Sequence, residues 1–138
     1  KRDWGHAKDY VEGMWRILQH DAPDDFVLAT GITTSIRDFT TQAFFEAGIS
    51  LEWSGSGVDE VGKNAHTGNI LVSVDPVYFR PTEVDLLIGD STKVKETLGW
   101  TPTCDLKKLI SEMISSDLEE ARKEKHLLSS GFHTKKTN

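Results

Sequence analysis

From Asp105 to His126 the apolar residues Leu106, Leu109, Ile110, Met113, Ile114, Leu118 and Ala121 return at helical spacing, with charged residues between them. A stripe of that length is satisfied by one long amphipathic helix lying along a core, so the rest of the chain must supply the surface it covers. The upstream sequence offers shorter pieces. Between Ala7 and His20, the residues Tyr10, Val11, Met14, Trp15 and Leu18 mark a second amphipathic helix, with Asp9 in its first turn at the positive end of the helix dipole. Asp21-Ala22-Pro23-Asp24-Asp25 breaks it, and Phe26 to Thr30 reads as a short buried strand ended by Gly31. Ser35, with Asp38 three residues on, opens a further helix whose stripe runs through Ile36, Phe39, Ala43, Phe44 and Ala47 to Gly48.

Leu51 to Trp53 and Ile70 to Val74 are strand candidates. The polar stretch from Ser54 to Asn69 between them has no apolar period and is expected to be a mobile loop. Asp90 or Ser91 caps a short helix that ends at Gly99, and Trp100 with Pro102 closes it. These elements predict an α/β fold, a small sheet packed by helices, rather than a complete doubly wound sheet. With 138 residues, 37% of them hydrophobic, one domain is expected over residues 1–126, and the small, polar, basic stretch 127–138 is expected to be a flexible tail.

Charge and composition exclude several functions. A net charge of −6 argues against a nucleic-acid-binding surface, which needs a net supply of Lys and Arg. Cys104 is the single cysteine, so no internal disulfide can form, and the five histidines show no metal-ligand spacing. No apolar run approaches the roughly 20 residues that span a bilayer, and Lys1-Arg2-Asp3-Trp4 is no signal peptide, so the chain reads as cytoplasmic. It also starts without Met and enters structured sequence at once, which reads as part of a longer protein.

Gly57-Val58-Asp59-Glu60-Val61-Gly62-Lys63-Asn64 imitates a phosphate-binding loop, but Asn64 has no hydroxyl for magnesium, and Asp59 and Glu60 would place carboxylates where phosphate must sit. No G-x-G-x-x-G turn and no Tyr-x-x-x-Lys pair occurs: Tyr10 is followed four residues later by Met14, and Tyr78 by Thr82. What remains is Tyr78-Phe79-Arg80-Pro81-Thr82-Glu83-Val84-Asp85. The guanidinium of Arg80 offers a planar fork for phosphate oxygens, and Glu83 an acceptor for a ribose diol. On spacing alone the pair reads more readily as a surface ion pair worth about 0–1 kcal/mol, and Arg2 as a solvated terminal arginine.

The block Arg2-Asp3-Trp4-Gly5-His6-Ala7-Lys8-Asp9-Tyr10-Val11 changes that balance. With Ala29-Thr30-Gly31, Ser35-Ile36-Arg37, the Tyr78–Asp85 segment, Gly89-Asp90, Lys93 and Leu98-Gly99-Trp100, it resembles the GDP-mannose 4,6-dehydratase family in order and spacing. The resemblance covers nearly the whole chain. It implies the partial C-terminal, substrate-binding domain of an extended short-chain dehydrogenase, incomplete at its N-terminus and without the Rossmann domain. In that family the N-terminal portion binds NADP(H) and supplies a Thr, a Glu and the Tyr-x-x-x-Lys pair, so no catalytic or cofactor-binding residue has a matching position here.

By the same resemblance Arg80 binds the pyrophosphate of GDP-mannose, Glu83 accepts from the ribose hydroxyls, and Arg2 forms the second side of the phosphate clamp. Trp4 and Tyr78 either line that cleft or serve as core aromatics. Arg37 is assigned to helix-start packing or an ion pair. The full-length enzyme is expected to be a homodimer or tetramer, and the isolated chain to be inactive. Two other readings stand beside this one: an epimerase or reductase relative acting on nucleotide sugars, and a non-catalytic binding or interaction module.

Overall fold

The computed structural model describes residues 1–80 and 86–132. Its elements run β1 (Arg2–Asp3), α1 (Ala7–Leu18), β2 (Thr33–Thr34), α2 (Ile36–Glu46), β3 (Leu51–Ser54), a 3₁₀ turn (Gly57–Asp59), β4 (Val61–Asn64), β5 (Ile70–Ser73), α3 (Thr92–Leu98) and α4 (Leu106–Ser129). The fold is mixed α/β with two small sheets. In one, β1 pairs antiparallel with β2, Arg2 opposite Thr34. In the other, β4 lies between β3 and β5, antiparallel to both.

The helix starts follow their caps. Ser35 Oγ accepts from Asp38 N–H at 3.0 Å to begin α2, and Asp105 accepts from Lys108 N–H at 2.8 Å to begin α4. At α3 the carboxylate of Asp90 accepts from Thr92 N–H at 2.9 Å, and Gly99 ends the helix in the left-handed region. The first helix is capped by a histidine: His6 Nδ1 accepts from Lys8 N–H at 3.0 Å. Because Nδ1 accepts there, a neutral His6 carries its proton on Nε2, which lies 3.1 Å from a carboxylate oxygen of Glu112 on α4.

The core is small and centred on Trp100, which is buried with Val94, Ala29 and Ile110. The indole Nε1 of Trp100 donates to Asp9 O at 2.7 Å, holding α1 over it. Arg16, further along α1, donates to Leu98 O and Gly99 O and so caps the C-terminal end of α3. Elsewhere Trp4 stacks on Phe39 with centroids 4.2 Å apart, and Trp53 Nε1 donates to Thr41 Oγ1 at 2.9 Å, joining the three-stranded sheet to α2.

Four expectations need correction. Phe26 to Thr30 has no ladder partner among the described residues: it is extended chain whose end is taken by a side chain, as described below. Residues 54–69 are not a mobile loop but contain the central strand β4, invisible to periodicity because its buried position is Gly62. A Cβ there would stand 3.2 Å from the Trp53 ring, so glycine is what lets the indole lie over the sheet. The imitation phosphate loop falls inside this hairpin, where Glu60 pairs with Arg37 on α2.

The apolar stripe of α1 is turned outward. Val11, Met14, Trp15 and Leu18 are 56–80% exposed, while the buried residues of that helix are Asp9 and Gly13. Lastly, α4 runs three residues past its expected end at His126. Its apolar stripe is covered only in the first three to four turns, and from Glu119 onward the helix is exposed. The remainder of the expected tail, 133–138, lies outside the described residues. No helix among those described is long and apolar enough to cross a membrane.

Candidate functional site

The site is built from the junction of β1 with the turn at Thr30–Gly31. Gly31 has φ +75°, which leaves two successive backbone N–H groups pointing the same way and needing an acceptor. Asp3 supplies it: Oδ1 accepts from Thr30 N–H at 3.1 Å and from the Thr30 hydroxyl, and Oδ2 accepts from Gly31 N–H at 2.9 Å. Both carboxylate oxygens are thus occupied within the protein. Charge-assisted bonds of this kind fix β1 against the extended segment 26–30.

A second extended segment, 86–90, closes against the first. A Cβ on Gly89 would meet Ala29 Cβ at 2.5 Å, so only glycine permits the approach. Together they form an open cleft of about 350 Å³ lined by Arg2, Asp3, Tyr10 and the segments 27–29 and 87–89. Burial, reinforced by the nearby Asp3 and Asp9 charges, pushes the Tyr10 phenol above its ordinary value, so it presents a neutral hydroxyl. Lys93 bonds Asp24 at 2.6 Å and lies 5.1 Å from the Phe26 ring, tying the start of segment 26–30 to α3. The Lys93 bond holds the Asp24 carboxyl below its usual range.

Beneath the cleft, Asp9 is 8% exposed and accepts from Thr103 Oγ1 at 2.7 Å and from Cys104 N–H at 3.0 Å. Burial alone would raise its pKa, but these hydrogen bonds, with His6 nearby, outweigh it and hold the carboxyl below 3.8. The group is a structural rivet between α1 and the turn preceding α4. Neither cleft nor rivet has a nucleophile paired with a base: the cleft lining contains no His, Cys or Lys. Among the described residues no group of three or more His, Cys, Asp or Glu is placed to hold a metal. A cation beside apolar walls and a neutral hydroxyl suits gripping an anionic ligand with an apolar body.

Of the residues singled out in the sequence, Arg2 lies in this cleft, where Arg2 Nη1 also donates to Lys1 O at 2.9 Å. Arg80 is exposed and is not among the lining residues. Glu83 falls outside the described residues. Trp4 lines a separate cleft of about 200 Å³ with Thr30, Ile32 and the 102–106 turn, and Tyr78 is 80% exposed. Sequence reasoning passed over Asp3, Tyr10 and Gly89. Two signals for them were present: the Thr30-Gly31 turn, which required an acceptor from elsewhere in the chain, and a glycine ending the apolar run Leu86-Leu87-Ile88.

The geometry is matched by kinship. A family model described as GDP-mannose 4,6 dehydratase matches residues 1–113. A GDP-mannose 4,6-dehydratase of Sinorhizobium fredii (strain HH103) is 53% identical over 122 residues, 88% of this chain and 35% of the relative. GDP-mannose 4,6 dehydratase 2 of Caenorhabditis elegans is 56% identical over 117 residues, 85% of this chain and 30% of the relative. The Homo sapiens GDP-mannose 4,6 dehydratase is 50% identical over 122 residues, covering 88% and 33%. The chain thus spans about a third of the length of these relatives. The resemblance read from the Arg2–Val11 block and the segments after it is borne out: the chain belongs to the GDP-mannose 4,6-dehydratase family.

Proposed function

We propose that this chain is the nucleotide-sugar-gripping part of a GDP-mannose 4,6-dehydratase, the type of enzyme that converts GDP-mannose to GDP-4-keto-6-deoxy-mannose on the way to GDP-fucose. The observation that carries the reading is the position of Arg2. Its guanidinium borders the cleft between segments 27–29 and 87–89, on a strand locked by Asp3 to Thr30 and Gly31. Arg2 and Arg80 then clamp the pyrophosphate and Glu83 accepts from the ribose hydroxyls. These contacts are remote from the reacting carbons, and their contribution is orientation: they hold the sugar where chemistry done by other residues can reach it.

This chain's own residues do not fit NADP(H). The sequence has no G-x-G-x-x-G turn, and every β pairing among the described residues is antiparallel, whereas a dinucleotide fold needs parallel strands joined by a Gly-rich turn to a helix N-terminus. The reading therefore assigns the cofactor, the Tyr-x-x-x-Lys pair and the extended short-chain dehydrogenase architecture to the polypeptide outside the matched third.

Titration calorimetry with GDP-mannose and with GDP tests the proposal. Binding of both, weakened tenfold or more by Arg2→Ala, is the expected result. No binding by the chain would overturn the gripping role, and product formation by the chain alone with NADP would overturn the division of labour.

A further inference from the structure

Helix α1 is inside out with respect to the rest of this chain. At 100° per residue, Asp9, Gly13 and Arg16 share one side of the helix, and these are the positions that meet Trp100, Leu28 and the end of α3. Val11, Met14, Trp15 and Leu18 cluster about 180° away. They are 63%, 56%, 57% and 80% exposed, and Val11 and Trp15 line a shallow groove edged by Lys8 and Glu12. The anchored side is therefore a carboxylate, a glycine and an arginine, each held by specific hydrogen bonds or close approach, while the apolar side faces solvent.

A sequence that only needed α1 to cover its own core would not place its four largest apolar side chains on the far side. Spacing of i, i+3, i+4 and i+7 is the pattern of a helix face made to be covered. We infer that this outer face of α1 is the docking surface for the family polypeptide outside the matched third, so that α1 is a middle layer with protein on both sides.

The size of the face favours that occupant over a second copy of the chain. A 12-residue helix offers a strip about 18 Å long, far short of the about 800 Å² per partner that a stable dimer buries. A covalently continuous segment needs no such area, because its effective concentration is already high. Some two thirds of each relative's length lies outside the match, more than enough to supply it. The inference rests on family membership and the α1 geometry, not on nucleotide binding.

The test is Trp15→Glu combined with Leu18→Glu, read by thermal melting without nucleotide. In the isolated chain, where both residues are exposed, the melting temperature should stay within about 2 °C. In a full-length chimera, with the chain replacing the matching third of the Homo sapiens relative, the same pair should lower it by on the order of 5 °C or more. The substitutions at the aligned positions of the human relative itself give a second reading with the same expectation. Equal tolerance in all three settings would overturn the inference. So would an isolated chain that is dimeric in light scattering and becomes monomeric with the two glutamates, since the face would then belong to a second copy.

Discussion

The indole of Trp100 reaches the main-chain carbonyl of Asp9 at 2.7 Å because the next turn of α1, on the same side, carries glycine. A Cβ at position 13 would lie 2.8 Å from both methyls of Leu28 and 3.0 Å from Trp100 Nε1. In an exposed helix, glycine to alanine stabilises by about 1 kcal/mol; here the added methyl overpacks a dry contact, which costs about 1–3 kcal/mol. Gly13→Ala should therefore be destabilising by about 1 kcal/mol in urea unfolding. Trp100→Phe, losing the hydrogen bond and part of the ring, should cost more, about 2–3 kcal/mol. A Gly13→Ala chain more stable than the parent would show that α1 does not sit as closely on Trp100 as described.

Asp9 predicts an acid-labile step. Its folded pKa lies below 3.8, so the stability that Thr103 and Cys104 lend the carboxylate is fully present above about 3.8 and disappears as the pH falls through the lower folded value. Stability measured from pH 5 downward should fall in the parent with a contribution that Asp9→Asn lacks. At neutral pH Asp9→Ala, which leaves the Thr103 hydroxyl and the Cys104 N–H without their acceptor, should be destabilising by about 2–3 kcal/mol. Identical pH profiles for parent and Asp9→Asn would remove Asp9 as the source.

What was legible in the sequence is instructive at particular residues. The α4 stripe, the Ser35 and Asp105 caps and the Gly99 stop each declare themselves through local chemistry, and the structure has them in place. β4 did not, because its one buried position, Gly62, has no side chain to register as apolar. The stripe of α1 was read correctly as apolar, yet its direction was not recoverable, since periodicity says that a face exists and not which neighbour covers it. Similarly, Arg2 could be named from the family block, whereas Asp3 could be recognised as the residue that fixes it only when Thr30 and Gly31, remote in sequence, were seen at its carboxylate.

That last relationship makes Asp3 a positioning residue for the proposed grip. Asp3→Asn keeps the size but turns one acceptor into an NH2 group facing a backbone N–H, so either Thr30 or Gly31 loses its bond. The affinity for GDP in calorimetry should fall about fivefold to tenfold, through displacement of β1 and with it Arg2. His6→Ala serves as the control, because it removes the α1 cap and the Glu112 contact without touching the cleft lining. It should cost about 1 kcal/mol of stability and leave GDP affinity unchanged. If the two variants weaken GDP alike, the effect of Asp3 is one of general stability and the positioning role fails.

Arg80 separates binding from stability most cleanly. It is exposed and has no ion pair with a described residue, so Arg80→Ala should leave the unfolding free energy within about 0.5 kcal/mol of the parent. If its guanidinium takes pyrophosphate oxygens, the same change should weaken GDP by about tenfold to a hundredfold, and Arg80→Lys should recover only part of that. An ammonium restores the charge but not the planar pair of donors that meets two oxygens at once. Glu83→Gln should weaken GDP less, since the amide oxygen still accepts from a ribose hydroxyl while the charge assistance is lost. Calorimetry at two salt concentrations adds a further check: the loss at Arg80 should shrink as salt screens the parent's contact, and the loss at Glu83, which faces a neutral diol, should not. Full affinity in Arg80→Ala would leave Arg2 as the sole phosphate contact and remove the clamp from the mechanism.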